Sequence, residues 1–361
     1  MQIATNTTGL PAELFVSTDK DGQKSCVVVV KATFDVASDG QCRPAEQQAP
    51  LIFCDEHYGE PDSSSVRYEC DFVPIKPKAE VLLNAEAIAP GDDPVEALEV
   101  MLVGPGINKR ALVLGNRRWE ERIGGVEASP ALPFTCMPLI WERAFGGSDS
   151  SHEDVSKNGS ELRNTLGVGF HLNGDASAIV GTALPNIEDP NEPLGAWDDK
   201  PPPTGFGPVG RGWQPRSGFA GTYDEYWLQE TRPFLPQDFD NRYFQAAPLD
   251  QQLPRLQPGA GFGCANMSAG GRFVAYLPEF QVPVRFRLSD RTESASIVAD
   301  TLILEPGAAR LILVGRCSLA LPRKLTALRE IEVGPPKRTR DPGKTHYANL
   351  GDAVAAGRKR S

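Results

Sequence analysis

Apolar and β-branched residues come in short runs along this chain, and a helical period is hard to find. Residues 27–36 (VVVVKATFDV) are rich in β-branched residues and predict a strand. Similar runs at 80–88, 98–103, 111–114, 272–277, 282–288, 296–304 and 310–314 predict further strands. Turn signals separate them, among them Pro90-Gly91-Asp92, Gly104-Pro105-Gly106 and Glu305-Pro306-Gly307. Helical turns are expected only around 225–229 and 322–328. The pattern predicts a mainly β fold, a β-sandwich-like body of short antiparallel strands with few short helices. Residues 148–160 (SDSSHEDVSKNGS) are small and polar, and predict a flexible surface loop.

One block breaks the strand pattern. Residues 184–258 hold 13 of the chain's 32 prolines and three of its five tryptophans, Trp197, Trp213 and Trp227. Proline fixes φ and removes a backbone donor, so most of this block can be neither helix interior nor central strand. Disordered segments are poor in aromatics, because without apolar payload they cannot offset the entropy of ordering. This one is rich in them, and predicts a long, ordered loop region packed on the β body. Strands lie on both sides of it, so the N- and C-terminal strands are expected to pair within one domain over residues 1–333. The alternative is two β domains joined near 130–180. Beyond that lies a basic tail, 334–361, with Lys337, Arg338, Arg340, Lys344, Arg358, Lys359 and Arg360 against Asp341 and Asp352. It is expected to be disordered and solvated, or to dock on an acidic partner.

The bulk numbers then narrow the function. Among 361 residues the net charge is −10, which argues against nucleic acid as the main partner. Seven cysteines without a CxxC pair predict free thiols in a reducing, cytoplasmic setting. The N-terminus lacks the basic and apolar regions of a signal peptide, and no apolar run is long enough for membrane insertion. Four scattered histidines (57, 152, 171, 346) offer no metal motif, and no cofactor is expected. Gly343-Lys344-Thr345 lacks the first glycine of a phosphate loop. Gly167-Val168-Gly169 lacks the third glycine of a dinucleotide fingerprint.

The carboxylates Glu142, Asp189, Asp224, Glu225, Asp238 and Asp240 lie in or beside aromatic-rich loops, as glycosidase acids do. The competing expectation is that they pair with arginines of the same loops, Arg143, Arg211, Arg216, Arg232 and Arg242. Residues 141–147 (WERAFGG) form a second dense cluster, read as a binding hot spot with a flexible Gly-Gly end or as a strand end packed on the core. Candidate partner-binding residues are therefore Trp141, Glu142, Arg143, Phe145, Arg211, Trp213, Arg216, Asp224, Glu225, Trp227, Asp238 and Arg242.

With these residues in view the chain resembles the type VI secretion effector adaptors, a family catalogued as domain of unknown function 2169. The resemblance is carried in order by Lys31-Ala32-Thr33-Phe34, Tyr58-Gly59-Glu60-Pro61, residues 68–74 (YECDFVP) with Lys76-Pro77, and WERAFGG. It continues through 184–190 (LPNIEDP), 205–208 (GFGP), 221–225 (GTYDE) with Trp227, 235–242 (LPQDFDNR), 247–251 (APLDQ), Asp300-Thr301-Leu302 and Glu305-Pro306. It spans roughly residues 25–320. Asn164-Thr165-Leu166-Gly167 departs from the family's Asn-Pro-hydrophobic-Gly, and Glu80 and Ala85 replace its usual Asp and Gly. The resemblance implies a non-enzymatic cytoplasmic adaptor or chaperone whose partners are a secreted effector and the spike protein, with no catalytic residues. A carbohydrate- or cell-wall-acting hydrolase and a structural component of the spike are the alternatives.

Overall fold

A computed structural model describes residues 2–321 and 327–335. Its two larger sheets use fifteen strands. The first eight are β1 (Ile3–Asn6), β2 (Ala12–Thr18), β3 (Lys24–Val36), β4 (Cys42–Pro44), β5 (Ala79–Leu83), β6 (Ala97–Gly104), β7 (Ile107–Leu114) and β8 (Ile187–Glu188). The others are β9 (Gln252–Leu253), β10 (Gly261–Ala265), β11 (Arg272–Tyr276), β12 (Gln281–Leu288), β13 (Thr292–Glu305), β14 (Arg310–Ala320) and β15 (Leu328–Val333). The ten-stranded sheet runs β1-β15-β12-β13-β14-β3-β2, with β4 beside β3, β5 parallel to β13, and β9 on β5. The five-stranded sheet runs β8-β7-β6-β10-β11 and is antiparallel. The fold is mainly β, and strands from both ends of the chain share the larger sheet.

The unbroken apolar run of β3 follows from its place in that sheet. Successive strand residues point to opposite faces, so a strand covered on one side alternates and a strand covered on both does not. Val28, Val30, Ala32 and Phe34 enter the main core with Val81, Leu302, Leu311 and Leu313. The smaller sheet closes that core from the other side with Val100, Leu102, Ala111, Val113, Phe262 and Phe273. Val27 and Val29 face the opposite way, into a second core with Leu51, Leu82, Ile303, Ile312 and Ala247. Lys31 lies on that second face too, where its ammonium stands 2.5 Å from Asp71 and donates to the Pro50 carbonyl. A buried charge needs such a partner, and the YECDFVP segment supplies it.

β13 changes partners halfway along. Its first half pairs with β12 and its second half with β5, while β14 runs along the other edge of the second half. The register with β14 slips between Ala299 and Thr301, leaving Asp300 as the extra residue of a bulge. Its carboxylate lies 3.2 Å from the guanidinium of Arg316 on β14.

Several sequence expectations need correction. The run at 80–88 is two strands, Ala79–Leu83 and Glu86–Ile88. Residues 322–326 lie outside the described residues, and Leu328, expected to end a helix, begins β15. Of the basic tail all but Gly334 and Pro335 also lies outside them. The loop at 148–160 is exposed in most of its length, but its base is pinned. Ser148–Asp149 pairs with Gly159–Ser160, and the buried Asp149 carboxylate accepts the backbone N–H of Leu172 and Asn173. Burial pushes the Asp149 carboxyl up, but the Ser151 hydroxyl and the N–H groups of Leu172, Ser151 and Asn173, all donating to its ionised form, hold it well below the usual range.

Candidate functional site

The proline-rich block is fastened to the β body by ionic ties whose acids come from far upstream. Glu69 receives Arg216, Arg211 at 2.9 Å and Lys76 at 3.4 Å. Arg216 is buried and spends its other N–H groups on the carbonyls of Tyr243 (2.8 Å) and Val209 (2.7 Å). Arg211 also makes a fork to Asp55 at 3.1 and 3.3 Å. Burial pushes the Asp55 carboxyl up, but the Arg211 fork and the Cys70 N–H outweigh it and hold the group low. The fully buried Glu80 pairs with Lys76 and accepts from Gln245 Nε2 (2.9 Å) and the N–H of Ala246 (2.8 Å) and Ala247 (3.1 Å). Gln251 Nε2 ties the carbonyls of Val81 and Phe206 at 2.7 and 2.9 Å. Long loops bury backbone groups that must find partners, and these side chains provide them.

WERAFGG is interior structure. Trp141 and Phe145 are buried, and Trp141 donates Nε1–H to the Gly207 carbonyl at 3.3 Å. Gly205 lies flat against the indole, where an added Cβ would come within 2.8 Å of the ring. Glu142 accepts the N–H and hydroxyl of Ser65, both at 2.7 Å, and Arg143 donates to Asn186 Oδ1 at 3.0 Å. The Gly-Gly end is not a hinge, contrary to expectation. Gly146 and Gly147 have φ of +151° and +97°, and a Cβ on them would sit 2.1 Å from the Asn164 carbonyl oxygen and 2.4 Å from that of Gly167. Two backbones pass so closely there that only glycine fits. Asn164 locks the same junction by donating to the carbonyls of Trp141 and Phe145.

The twelve candidate residues therefore divide. Trp141, Phe145, Trp213 and Arg216 are buried and hold the block in place, so they cannot form an open contact surface. Glu142, Arg143 and Arg211 are half-buried and engaged as described. Asp224, Glu225, Asp238 and Arg242 are exposed, with Trp227 half-exposed beside them. These last lie on a projecting knob, residues 222–242, and most of the acids there do not pair with arginines of the same loops as expected. Asp224 accepts the Trp227 N–H at 2.8 Å where a short π-helical turn, Trp227–Thr231, begins. Glu225 accepts from Gln229, and Asp238 from the N–H and hydroxyl of Thr222. Only Asp240 meets a local arginine, Arg242, whose guanidinium stacks 4.1 Å from the Phe219 ring centroid. Asp189 accepts from Asn191.

Sequence reasoning missed what the knob presents. Tyr223, Tyr226, Leu228 and Phe234 are all exposed, Tyr226 by 69% and Leu228 by 52%. The knob is braced from both sides. Trp227 meets Tyr223 edge-on at 4.7 Å and donates Nε1–H to the Phe234 carbonyl at 2.9 Å. At its base Lys20 and Gln237 exchange hydrogen bonds of 3.1 Å, seating it on the β2–β3 turn. The signal in sequence is the spacing of Tyr223, Tyr226 and Trp227 in and beside GTYDE.

Among the described residues no group of three or more His, Cys, Asp or Glu is placed to hold a metal ion, and no helix is long and apolar enough to cross a membrane. A family model described as "Uncharacterized protein conserved in bacteria (DUF2169)" matches residues 21–316, and the chain belongs to that family. No curated protein and no solved structure matches it.

Proposed function

We propose that this protein is a non-enzymatic adaptor that binds a cognate type VI secretion effector in the cytoplasm and helps load it onto the secretion spike. The observation that carries the reading is the braced knob, which holds Tyr223, Tyr226, Leu228 and Phe234 out in solvent. Clustered exposed apolar side chains mark interaction surfaces, and tyrosine is prominent among interface hot spots. Fixing them in advance with hydrogen bonds and an edge-on ring pair lowers the entropy lost on binding. The secretion role itself rests on the ordered motifs from Lys31 to Pro306.

The loop carboxylates give the hydrolase alternative no support. Glu142, Asp189, Asp224, Glu225 and Asp238 each accept hydrogen bonds from other residues, and Asp240 pairs with Arg242. A working acid and base need separate environments that drive their pKa values apart.

The test is capture from the native host under secreting conditions, with bound proteins identified by mass spectrometry. The chain is compared with a Tyr226→Ala/Leu228→Ala variant. The expected result is one toxin-like protein in stoichiometric amount, lost with the variant while its melting temperature holds. Recovery of the chain alone would overturn the reading. A stable spike complex formed without any effector would instead make the protein a structural piece of the spike.

A further inference from the structure

A cleft of about 530 Å³ opens beside the block, between β7, the prolines at 202–203 and the turn Leu249–Gln251. Its volume is in the range of ligand-binding clefts, roughly 300–1,000 Å³. At its floor is a lysine where the strand pattern calls for an apolar residue. On β7 the inward positions are Ile107, Lys109, Ala111 and Val113, and Lys109 is buried with them, its side chain only 9% exposed. Its ammonium lies 5.2 Å from the centre of the Phe206 ring. Its one ionic partner among the described residues is Asp250, 3.0 Å away, and that side chain is 55% exposed. An ammonium has three N–H donors, and here one carboxylate on a short surface turn answers them.

The other cations of the lining have carboxylates of their own: Arg163 pairs with Glu161, Arg216 with Glu69 and Arg242 with Asp240. Arg110 on the lip holds Glu99 only loosely, at 3.6 Å with both side chains nearly half exposed. Proline walls at 202, 203, 215 and 248 and the edge of Trp141 give the trough a stiff apolar lining. Such a surface selects an extended chain carrying an acid. The apolar walls take backbone and aliphatic atoms, and the Lys109 ammonium, with donors to spare, takes the charge.

We infer that this cleft receives an extended segment of the partner protein and binds one Asp or Glu side chain of it at Lys109, with Asp250 as the internal carboxylate it displaces. The inference rests on the adaptor reading for the origin of the segment, but its cleft shares only Arg242 with the knob. A carboxylate that displaces Asp250 keeps the buried ammonium paired, so the exchange leaves no uncompensated charge. The buried Gln251 keeps the turn on the core, so only the exposed Asp250 side chain has to swing aside.

The test uses the full chain alone, with no effector. Fluorescein-labelled octapeptides of Ala and Pro with a single central Glu, moved through the register, are titrated against it by anisotropy, beside their Gln counterparts. The Glu peptide is expected to bind at least tenfold more tightly than the Gln peptide in the best register. Asp250→Asn should tighten it several-fold by removing the competitor. Lys109→Met should abolish the Glu preference. Since that buried variant can fail to fold, the exposed Asp250→Asn variant decides independently. Equal binding of Glu and Gln peptides, or no response to Asp250→Asn, overturns the inference. Succinate binding as tightly as the peptide, and competing with it, also overturns it, making the site one for a small acid. A negative result here with effector capture intact sinks the cleft alone. Loss of capture on the Tyr226→Ala/Leu228→Ala variant with peptide binding intact separates the knob from it.

Discussion

Trp213 meets Trp141 edge-on, with 5.7 Å between ring centroids and 82° between ring planes. The first belongs to the proline-rich block and the second to WERAFGG, so one aromatic contact joins the two densest features of the sequence inside the main core. Edge-to-face pairs of this kind add about 0.5–1.5 kcal/mol to the burial of the rings themselves. Gly205 and Gly210 lie flat against these indoles, leaving no room for the neighbours to collapse inward. Trp213→Ala is therefore expected to destabilise the fold by about 3–5 kcal/mol, as large aromatic deletions in close-packed cores do. Urea unfolding of the two proteins measures it, and an unchanged midpoint would contradict the placement of Trp213 in the core.

A second expectation concerns acid. Burial alone would raise the Glu80 carboxyl, but the Lys76 ammonium and the N–H groups of Ala246 and Ala247 hold it below the usual range. A carboxyl whose folded pKa is depressed contributes stability above its unfolded value and loses it as pH falls through the folded one. Asp55 and Asp149 shift in the same direction. The melting temperature should thus fall as pH drops below about 4.3, the ordinary glutamate value. Glu80→Gln should cost about 3 kcal/mol at neutral pH, because it strips a buried ammonium of its main partner. Glu69, at 3.4 Å, still offers Lys76 partial relief. The variant should also lose part of the acid dependence, and an acid limb identical to that of the parent would exclude Glu80 as a contributor.

How far the sequence foretold these features depends on the range of the contacts. β3 was legible because β-branched runs are local signals, and its length as a buried run matched a strand covered on both faces. β15 was not. Leu328-Arg329-Glu330-Ile331-Glu332-Val333 contains good helix formers, and only pairing with β12 and β1 makes it a strand. The edge strand β1, four residues long with Ile3 and Ala4 as its apolar pair, is too short to stand out in sequence. The ion pairs were misassigned for the same reason. Arg211 and Arg216 are answered by Asp55 and Glu69, some 150 residues upstream, and no local pattern announces that. The three tryptophans of the block have equal weight in sequence but different fates. Trp197 packs on a satellite core with Trp119 and Phe145, Trp213 enters the main core, and Trp227 braces the knob.

The thiols supply a third expectation. Desolvation pushes Cys26 up to about 11 and Cys264 to about 12, while Cys317 rises to about 12 through burial and the neighbouring Cys26. Cys54 and Cys136 are exposed. Since the thiolate is the reactive form, labelling the native protein at pH 8 should mark the exposed Cys54 first and Cys136 after it, because desolvation and the neighbouring Glu86 push the Cys136 thiol up. Cys26 and Cys264 should react only on unfolding. Mass mapping of the labelled peptides reads the order, and early labelling of Cys264 would show that strand β10 opens in the native state.

The knob yields the sharpest contrast between stability and binding. Tyr226 and Leu228 point into solvent, so Tyr226→Ala should change stability by no more than about 0.5 kcal/mol, the range for exposed positions. If Tyr226 is an interface anchor, the same change should weaken effector binding by about 2 kcal/mol or more, roughly thirtyfold. Trp227→Ala should behave differently. Its indole holds Phe234 and Tyr223 in place through the 2.9 Å hydrogen bond and the 4.7 Å ring contact, yet it lies outside the main core. It should therefore lower the melt modestly and weaken binding by loosening the platform, with Phe at that position restoring only the ring contact. Isothermal titration with the captured effector, run beside thermal melts, separates the two. Tight binding retained by Tyr226→Ala would move the effector contact away from the knob, whatever the melts show.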